Sequence, residues 1–506
     1  MSKQFVKMNR VLIAGTHSGC GKTTVTCGIL RALQKRGMDV RAFKCGPDYI
    51  DPMFHSEVLG AKSRNIDMFL CSKETAKRLF INHGTKLANC TISNRTISNY
   101  TFSNQAISNQ TISNCMISKT STSEFSDGVD TPAEPFSLVE GVMGYYDGLG
   151  GNTVINSTYH ISEELEIPTI LVVDCKGASI SVVAMIQGYQ NYRENRIVGV
   201  ILNQVSQMML PFYREMIEKE TGLEVLGCMP RDPKATIGSR HLGLITAEEI
   251  RDLNGKIDLL GELVEENIDL NRLLEIGKGA SELSCIEDDK AGNIEDDKAE
   301  DIGKKNRVRL AVARDKAFCF YYEDGLTTLE ELGAELIYFS PLEDKTLPEG
   351  IHGIILGGGY PELYLEKLSG NQSMLDSIRG ANESQMPIYA ECGGFMYLGK
   401  SIDGYSMTGI IDMRSEMTTR LQNFGYASLT PLVEGTLMGE GTKVHEFHYS
   451  KSDMATSTYE ATKRTGKTWQ TGYQSDHVYA QYPHLHFSGE VKVAEGFLEK
   501  CRAYRK

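Results

Sequence analysis

Residues 11–24 read VLIAGTHSGCGKTT, in which four apolar residues run into a loop rich in glycine. The apolar start is typical of a buried strand, and the helical pattern that follows runs to about Arg36, with Gly37 as its stop signal. Glycines let successive backbone N–H groups turn towards one anion, and a helix N-terminus adds partial positive charge. The stretch therefore predicts a phosphate-binding loop, although its spacing is one residue longer than G-x-x-x-x-G-K-[ST].

The side chains of this loop indicate nucleotide chemistry. Lys22 is placed to reach the terminal phosphates, and Thr23 is placed to hold Mg²⁺. A tight strand–helix turn without a ligand is the alternative interpretation. The candidate nucleotide-binding residues are Gly15, Thr16, Gly19, Gly21, Lys22, Thr23 and Thr24.

Short apolar runs alternate with helical patterns along most of the chain, and this alternation predicts parallel sheets covered by helices. A length of 506 residues and a hydrophobic share of 41% fit two buried cores, so we expect two α/β domains. The predicted strands are 11–14, 40–43, 138–142, 169–173, 197–202 and 224–226 in the first domain, and 309–313, 336–339, 353–356 and 388–390 in the second.

Two low-complexity segments set the predicted boundaries. A T-I-S-N repeat recurs from Thr91 to Asn114, and its polar composition favours a surface insertion over about 86–126, with a short solenoid or hairpin as the alternative. The repeat I-E-D-D-K-A occurs twice in an acidic stretch that is typical of a solvated linker. The predicted domains are 1–279 and 307–506, joined by a linker over 280–306.

Composition excludes several classes of protein. A formal net charge of −13 argues against a non-specific nucleic-acid surface. No apolar run reaches the roughly 18 residues of a membrane-spanning helix. The twelve cysteines include no C-x-x-C pair, and residues 1–10 are polar and unlike a secretory signal, so we expect a reducing cytoplasm.

Two charged segments follow predicted strands of the first domain. Residues 43–52 read FKCGPDYIDP, and residues 140–148 read EGVMGYYDG. Because the carboxyl ends of parallel strands meet at one edge of a sheet, we expect these segments to lie beside the phosphate loop. Metal binding or phosphate transfer is the functional interpretation, and turn capping is the alternative. The candidates are Lys44, Asp48, Asp51, Glu140 and Asp147.

A second candidate site lies in the predicted second domain. Residues 387–395 read PIYAECGGF, which is the layout of a nucleophile elbow: a strand, a sharp turn at Cys392 and then a helix. Backbone N–H groups of Gly393, and of Gly358 at another strand end, can stabilise an oxyanion. A thiolate needs a base, and His484 in YPHLHF supplies one. A packed structural thiol is the alternative for Cys392.

The run HEFHYS at residues 445–450 suggests a metal cluster at first sight. The two-residue spacing between His445 and His448 is not a zinc signature, and no cysteine lies nearby in sequence. We therefore expect this run to support the substrate or the fold.

Together these segments closely resemble the cobyrinic acid a,c-diamide synthase family, which amidates two acetate side chains of a corrin precursor. The resemblance covers both domains but neither the repeat insertion nor the linker, and it rests on FKCGPDYIDP, EGVMGYYDG, SRHLGL at 239–244, YAECGG and HEFHYS. It implies an N-terminal dethiobiotin synthetase-like P-loop domain, which shares the longer loop spacing, and a C-terminal class I-like glutamine amidotransferase domain. The sister family, cobyric acid synthase, typically has FKPQNM where this chain has FKCGPD, and that difference disfavours it.

The resemblance also implies residue roles. Asp48 and Glu140 look like the Mg²⁺ and phosphate-transfer carboxylates, and Asp51 and Asp147 look like supporting or substrate-orienting groups. Residues 15–24 look like the ATP site.

In the second domain, Cys392 looks like the glutamine nucleophile and His484 like its base. Ordinary triad amidotransferases carry a glutamate two residues after the histidine. Because His486 occupies that place here, we expect a Cys–His dyad.

The implied reaction is ATP-dependent amidation of the a and c acetates through an acyl phosphate, with ammonia from glutamine moving along a sheltered path between the domains. The substrate stays open between cobyrinate, hydrogenobyrinate and nickel-sirohydrochlorin, which relatives in methane-forming archaea amidate. A homodimer is one option for the assembly.

Two other classes compete with this interpretation. A P-loop switch of the cell-division or partition type usually has a second lysine early in the loop, and residues 16–20 contain none. A tetrapyrrole-binding protein with an inactive glutaminase half is disfavoured by Cys392 and His484.

Overall fold

The structure is a computed structural model that describes residues 4–57, 59–85, 134–235, 247–285 and 307–505. The predicted repeat insertion, both I-E-D-D-K-A repeats and the SRHLGL motif at 239–244 lie outside the described residues.

The first part of the chain forms a seven-stranded sheet in which every pair of neighbouring strands is parallel. The residues from Val11 to Ala14 in its central strand are fully buried, because helices cover both faces. This confirms the predicted P-loop α/β class for the first domain. In spatial order the strands are Lys62–Ile66, Val40–Cys45, Phe136–Glu140, Asn9–Gly15, Thr169–Asp174, Ile197–Asn203 and Glu224–Met229.

Helices pack on both faces of this sheet and form two apolar cores. Gly28 lets two helices approach closely, because a Cβ there would lie 2.6 Å from Val264 Cγ2. Among the described residues, no helix is long and apolar enough to cross a membrane. The helices are Lys22–Lys35, Ile50–Glu57, Lys73–Gly84, Thr158–Glu164, Ser181–Tyr192, Leu210–Thr221, Ala247–Asn267 and Leu270–Lys278, with a 3₁₀ turn at Leu149–Gly151.

A separate two-stranded sheet joins the beginning and the end of this first unit. Gln4–Val6 pairs antiparallel with Leu283–Cys285. Val6 and Leu283 are buried in the same core as the main sheet. The pair therefore brings the two ends of the unit to one place.

The second part of the chain has its own sheet of six strands. Five neighbouring strands are parallel, and the sixth pairs antiparallel at one edge. In spatial order the strands are Ala334–Phe339, Val308–Ala313, Gly353–Leu356, Ile388–Glu391, Val478–Gln481 and Tyr473–Gln474. The helices are Glu323–Glu331, Leu365–Gly370, Gln372–Glu383, Gly393–Leu398 and Val491–Tyr504, with a 3₁₀ turn at Pro361–Leu363.

Two small sheets in the second part were not predicted from the sequence. One contains Tyr405–Ser406, Ser401–Ile402, Arg414–Met417 and Ser450–Ser452. The other is antiparallel and contains, in order, Thr468–Thr471, Tyr459–Thr462, Phe424–Pro431, Thr442–Phe447 and His484–Leu485. The second of these sheets fixes the position of His484, because His484 pairs with His445 on the neighbouring strand.

Candidate active site

The phosphate loop connects the central strand of the first sheet to the helix Lys22–Lys35. Gly21 has a φ of 99°, and a Cβ there would lie 2.2 Å from Asn203 Nδ2, so the turn requires glycine. Gly19 also has a positive φ, of 84°. Asn203 Nδ2 donates to the Cys20 carbonyl at 2.9 Å, which ties the loop to a neighbouring strand end.

Lys22 reaches back across the loop. Its Nζ donates to the carbonyl of Met143 at 2.6 Å and to that of His17 at 3.1 Å. Burial lowers the pKa of Lys22. The loop is also held from outside, because the hydroxyl of Tyr189 donates to the Thr16 carbonyl. The Nζ atom of Lys22 thus lies where it could contact an anion bound in the loop.

Buried charges lie directly beside the loop, at the ends of neighbouring strands. Glu140 Oε1 accepts a hydrogen bond from Thr23 Oγ1 at 2.5 Å and another from Lys44 Nζ at 2.9 Å. Lys44 also pairs with Asp51 at 2.5 Å, and His55 Nε2 lies 3.1 Å from Glu140 Oε2. The structure therefore brings Thr23, Lys44, Asp51 and Glu140 together, as the sheet-edge argument expects, and adds His55, which the sequence interpretation missed.

For Lys44 and Glu140, the attraction between opposite charges changes the pKa more than burial does. Burial alone would lower the pKa of Lys44, but Glu140 and Asp51 raise it well above its usual range. Burial alone would raise the pKa of Glu140, but Lys44 and His55 hold it well below its usual range. Burial and the charge of Glu140 raise the pKa of Asp51. Lys44 is thus the cation that keeps Glu140 ionised.

Asp48 and Asp147 hold backbone turns in this structure. Asp48 Oδ1 accepts from the Ile50 amide at 2.8 Å, and Asp147 Oδ2 accepts from the Gly144 amide at 2.9 Å. Within the described ranges, no group of three or more His, Cys, Asp or Glu side chains is arranged to hold a metal ion. The structure therefore gives both residues the turn-capping contacts that were the alternative interpretation.

The second site is built on the strand Ile388–Glu391 and the helix Gly393–Leu398. Cys392 joins them with φ 46° and ψ −100°, a conformation that a non-glycine residue rarely adopts. A Cβ on Gly394 would lie 2.2 Å from the Leu356 carbonyl oxygen. Any side chain at position 394 would therefore clash with the neighbouring strand, so this position requires glycine. Strand, sharp turn and helix form the geometry of a nucleophile elbow.

His484 lies beside the cysteine and is almost fully buried. Burial would lower the pKa of His484, but side-chain hydrogen bonds with Cys392 and Glu391 raise it to about 10. Glu391 Oε2 lies 3.2 Å from His484 Nδ1. The ring therefore has the thiol and a carboxylate as partners, and the carboxylate was not among the residues predicted from the sequence.

Two glycine turns enclose this pair. A Cβ on Gly358 would lie 2.5 Å from His484 Cε1, and one on Gly393 would lie 3.3 Å from the Gly359 amide nitrogen. The predicted oxyanion residues Gly358 and Gly393 thus lie on turns that pack against His484 and against each other. Backbone amides in such turns are suited to stabilise negative charge on a carbonyl oxygen.

The loop that carries Asp48 also reaches the second site. The ring of Tyr49 lies 5.2 Å from that of His484, and it stacks on Tyr322 at 4.4 Å and on Phe320 at 5.1 Å. The hydroxyl of Tyr322 donates to the Pro47 carbonyl at 3.1 Å. The short segment from Lys44 to Tyr49 therefore connects the two candidate sites, with Lys44 in the first and Tyr49 against His484 of the second.

Polar contacts lie beside this aromatic stack. The hydroxyl of Tyr426, from the second domain, donates to the buried carboxylate of Asp67, and Asn156 Nδ2 donates to the Tyr426 hydroxyl at 2.9 Å. Asp324 of the second domain pairs with Arg64 at 3.1 Å and with His83 at 2.6 Å. These charged and hydrogen-bonded groups join the two domains around the site.

Comparison with known proteins agrees with this two-site organisation. Residues 11–245 match the family described as the CobQ/CobB/MinD/ParA nucleotide binding domain, and residues 309–491 match the CobB/CobQ-like glutamine amidotransferase domain. A cobyrinate a,c-diamide synthase of Clostridium tetani is 37% identical over 97% of this chain and 100% of its own length. Another, of Listeria monocytogenes, is 39% identical over 95% of this chain and 96% of its own. The chain belongs to the cobyrinate a,c-diamide synthase family.

In this member of the cobyrinate a,c-diamide synthase family, Glu446 and His448 of the HEFHYS run form a buried hydrogen-bonded network, while Phe447 and Tyr449 are exposed. Glu446 Oε1 lies 2.7 Å from His448 Nε2, and Glu446 Oε2 accepts from the indole of Trp469 at 2.9 Å. The ring of His448 stacks on that of Tyr482 at 3.9 Å. Burial lowers the pKa of His445 to about 3, so this histidine is neutral. These contacts agree with support of the fold.

Proposed function

We propose that the chain uses ATP to amidate the a and c acetate carboxylates of cobyrinate, with glutamine or ammonia as the nitrogen source. The observation that carries this proposal is the loop after Lys44: the ring of Tyr49 contacts that of His484, and the charge of its neighbour Asp48 acts on Lys44 and Asp51. Ammonia released beside His484 would then have a short way to an activated carboxylate. We also propose domains 1–279 and 307–506, joined by a linker over 280–306 whose early residues Leu283–Cys285 pair with Gln4–Val6 of the first domain.

The glutaminase half rests on Cys392 and His484. Because its pKa is raised, His484 already holds the thiol proton at Nε2 as an imidazolium, and the sulfur attacks the side-chain amide carbon of glutamine. The protonated histidine then gives its proton to the departing nitrogen, which leaves as ammonia, and water hydrolyses the γ-glutamyl thioester. The amides of Gly358 and Gly393 would hold the oxyanion.

The ligase half rests on the phosphate loop. Backbone amides over residues 15–24 and the ammonium of Lys22 would hold the ATP phosphates. Transfer of the terminal phosphoryl group to an acetate of the macrocycle gives an acyl phosphate, which ammonia attacks with loss of phosphate. Lys44, Asp51 and Asp147 are proposed to orient the substrate or the transferred group.

Mg²⁺ fits the donor atoms beside the loop. The oxygens of Thr23 and Glu140 lie 2.5 Å apart, and hydroxyl and carboxylate oxygens are ligands that Mg²⁺ prefers. Thr23 and Glu140 would hold the ion, with Asp48 from the adjacent turn. When bound, Mg²⁺ would neutralise charge on the transferring phosphoryl group.

An amidation assay tests the proposal directly. The purified chain is given cobyrinate or nickel-sirohydrochlorin, with Mg²⁺, glutamine and ATP, and the masses of the products are recorded. We expect a diamide of cobyrinate that does not form when ATP is omitted. Amidation of nickel-sirohydrochlorin alone would change the substrate, and absence of any amide product with either macrocycle would contradict the proposal.

A further inference from the structure

The glutaminase site contains a histidine where related triads contain an acid. His486 follows His484 by two residues and is almost fully buried, with its ring stacked on Tyr322 at a centroid distance of 4.6 Å. Burial lowers the pKa of His486 to about 4. A neutral imidazole packed against an aromatic ring has no negative charge with which to hold His484.

A carboxylate from another position faces His484 instead. Glu391 is the last residue of the strand Ile388–Glu391, and its Oε2 lies 3.2 Å from His484 Nδ1. Its other oxygen, Oε1, accepts from the Tyr389 hydroxyl at 2.8 Å and from the Leu485 amide at 3.0 Å. One oxygen is therefore fixed by two donors, which leaves the other aimed at the ring.

The local fold explains this geometry. Tyr389 and Glu391 lie on the same face of the strand, because residues two apart share a face, and Gln481 on the next strand donates to the Tyr389 hydroxyl at 3.0 Å. The positive φ of Cys392 then turns the chain sharply after Glu391. The adjacent residues Glu391 and Cys392 can thus contact the two nitrogens of the His484 ring. The carboxylate of Glu391 contacts Nδ1, and Nε2 is available to the thiol of Cys392.

We propose that Glu391 is the positioning carboxylate of the glutaminase site and holds His484 through Nδ1, so that the acid comes from the residue before the nucleophile. This rests on the proposed roles of Cys392 and His484. In this role Glu391 acts through His484. It fixes the ring orientation that presents Nε2 to the thiol, and it stabilises the imidazolium that forms when the thiol loses its proton.

The variant Glu391→Gln tests the proposal, because it keeps the shape of the side chain and removes the charge. We expect the glutaminase kcat to fall by roughly 10²–10⁴-fold with little change in KM for glutamine. Ammonia-dependent synthesis should stay near the wild-type rate. Thermal unfolding identifies any loss of folding, and Glu391→Asp, which keeps the charge on a shorter side chain, should recover part of the lost kcat.

The pH profile separates positioning from a purely structural role. Removing a carboxylate beside an imidazolium disfavours the protonated ring, so the pKa of His484 falls. The imidazolium must protonate the departing ammonia, so the basic limb of the glutaminase kcat profile should move to lower pH in Glu391→Gln. A matched variant at the usual acid position, His486→Gln, should leave this limb in place.

Three results would overturn the inference: a Glu391→Gln enzyme with kcat within about threefold of wild type, a basic limb that does not move, or an equal shift in His486→Gln. Glutaminase turnover of Cys392→Ser is measured in parallel. Turnover retained in Cys392→Ser would contradict the proposed site itself. Loss of turnover in Cys392→Ser together with a normal Glu391→Gln enzyme would contradict only the role of Glu391.

Discussion

At the scale of single residues, the chemistry depends on how buried charges are paired. Glu140 stays ionised at zero exposure because Lys44, His55 and Thr23 all contact it. The sequence placed Lys44 and Glu140 at neighbouring strand ends, but His55 comes from a helix, and nothing in its surroundings in the sequence indicates a partner. That Lys44, His55 and Thr23 all point towards Glu140 follows from the packing of the folded chain and could not be predicted from the sequence.

Replacing Lys44 with Met tests this pairing. The substitution keeps most of the side-chain volume but leaves Asp51 and Glu140 side by side without their shared cation. Because an unpaired buried charge is costly, we expect the free energy of unfolding to fall by about 3–5 kcal/mol at neutral pH. Denaturant unfolding measures the change. The loss should shrink on acidification as the carboxylates protonate, and a loss independent of pH would contradict the electrostatic explanation.

Replacing Cys392 with Ser should abolish glutamine-dependent synthesis and leave ammonia-dependent synthesis measurable, because only the thiolate step loses its nucleophile. Amide formation is measured with each nitrogen source. Cys501, which is buried away from the elbow on the helix Val491–Tyr504, provides the matched control: Cys501→Ser should keep glutaminase turnover.

Replacing Asp48 with Asn should have the opposite effect. Asn keeps an oxygen that can accept from the Ile50 amide, so the turn survives, while the charge that acts on Lys44 and Asp51 is lost. We expect amidation to fall by roughly 10²-fold or more with either nitrogen source, while glutaminase turnover persists. Equal loss of glutaminase turnover would mean that glutamine hydrolysis waits for acyl phosphate formation.

At the scale of elements, most buried parallel strands could be predicted because they are continuous apolar runs. The predicted strand 388–390 and the observed Ile388–Glu391 differ by one residue, and this residue is Glu391, whose role depends on the turn after it. The antiparallel strand Phe424–Pro431 was not predicted, because its side chains alternate between buried and exposed and form no apolar run. The contact of Glu391 with His484 joins strands of two different sheets, so it depends on how the sheets pack and was not predictable from apolar runs.

Deleting residues 89–123 should leave both activities largely intact. The deletion falls between the helix Lys73–Gly84 and the strand Phe136–Glu140, and a repeat of such polar composition is not expected to contribute to either core. Synthesis with glutamine and with ammonia is measured together with thermal unfolding. Failure to fold would show that the repeat packs against the domain.

At the scale of the whole molecule, the domains meet through aromatic and polar side chains next to both candidate sites. Tyr49 contacts His484, and Tyr426 donates to Asp67. The sequence predicted both domains and the candidate residues of both sites. It did not predict this junction, because the partner residues lie more than 240 positions apart in the sequence.

Replacing Tyr426 with Phe should weaken the junction without touching either set of reactive groups. We expect more glutamine hydrolysed per amide formed, because Asp67 and Asn156 lose their partner across the junction. Ammonia-dependent synthesis should change little. The exposed Tyr405, replaced in the same way, serves as the control, and an unchanged ratio of hydrolysis to amidation in Tyr426→Phe would contradict the prediction.

The short pairing of Gln4–Val6 with Leu283–Cys285 has a consequence for engineering the first domain on its own. Because its beginning and end are hydrogen-bonded neighbours, a few added residues are enough to fuse them into a continuous chain. New ends can then be opened within residues 86–126, the insertion predicted from the sequence, which gives a circularly permuted ligase domain whose original ends need no support from the glutaminase.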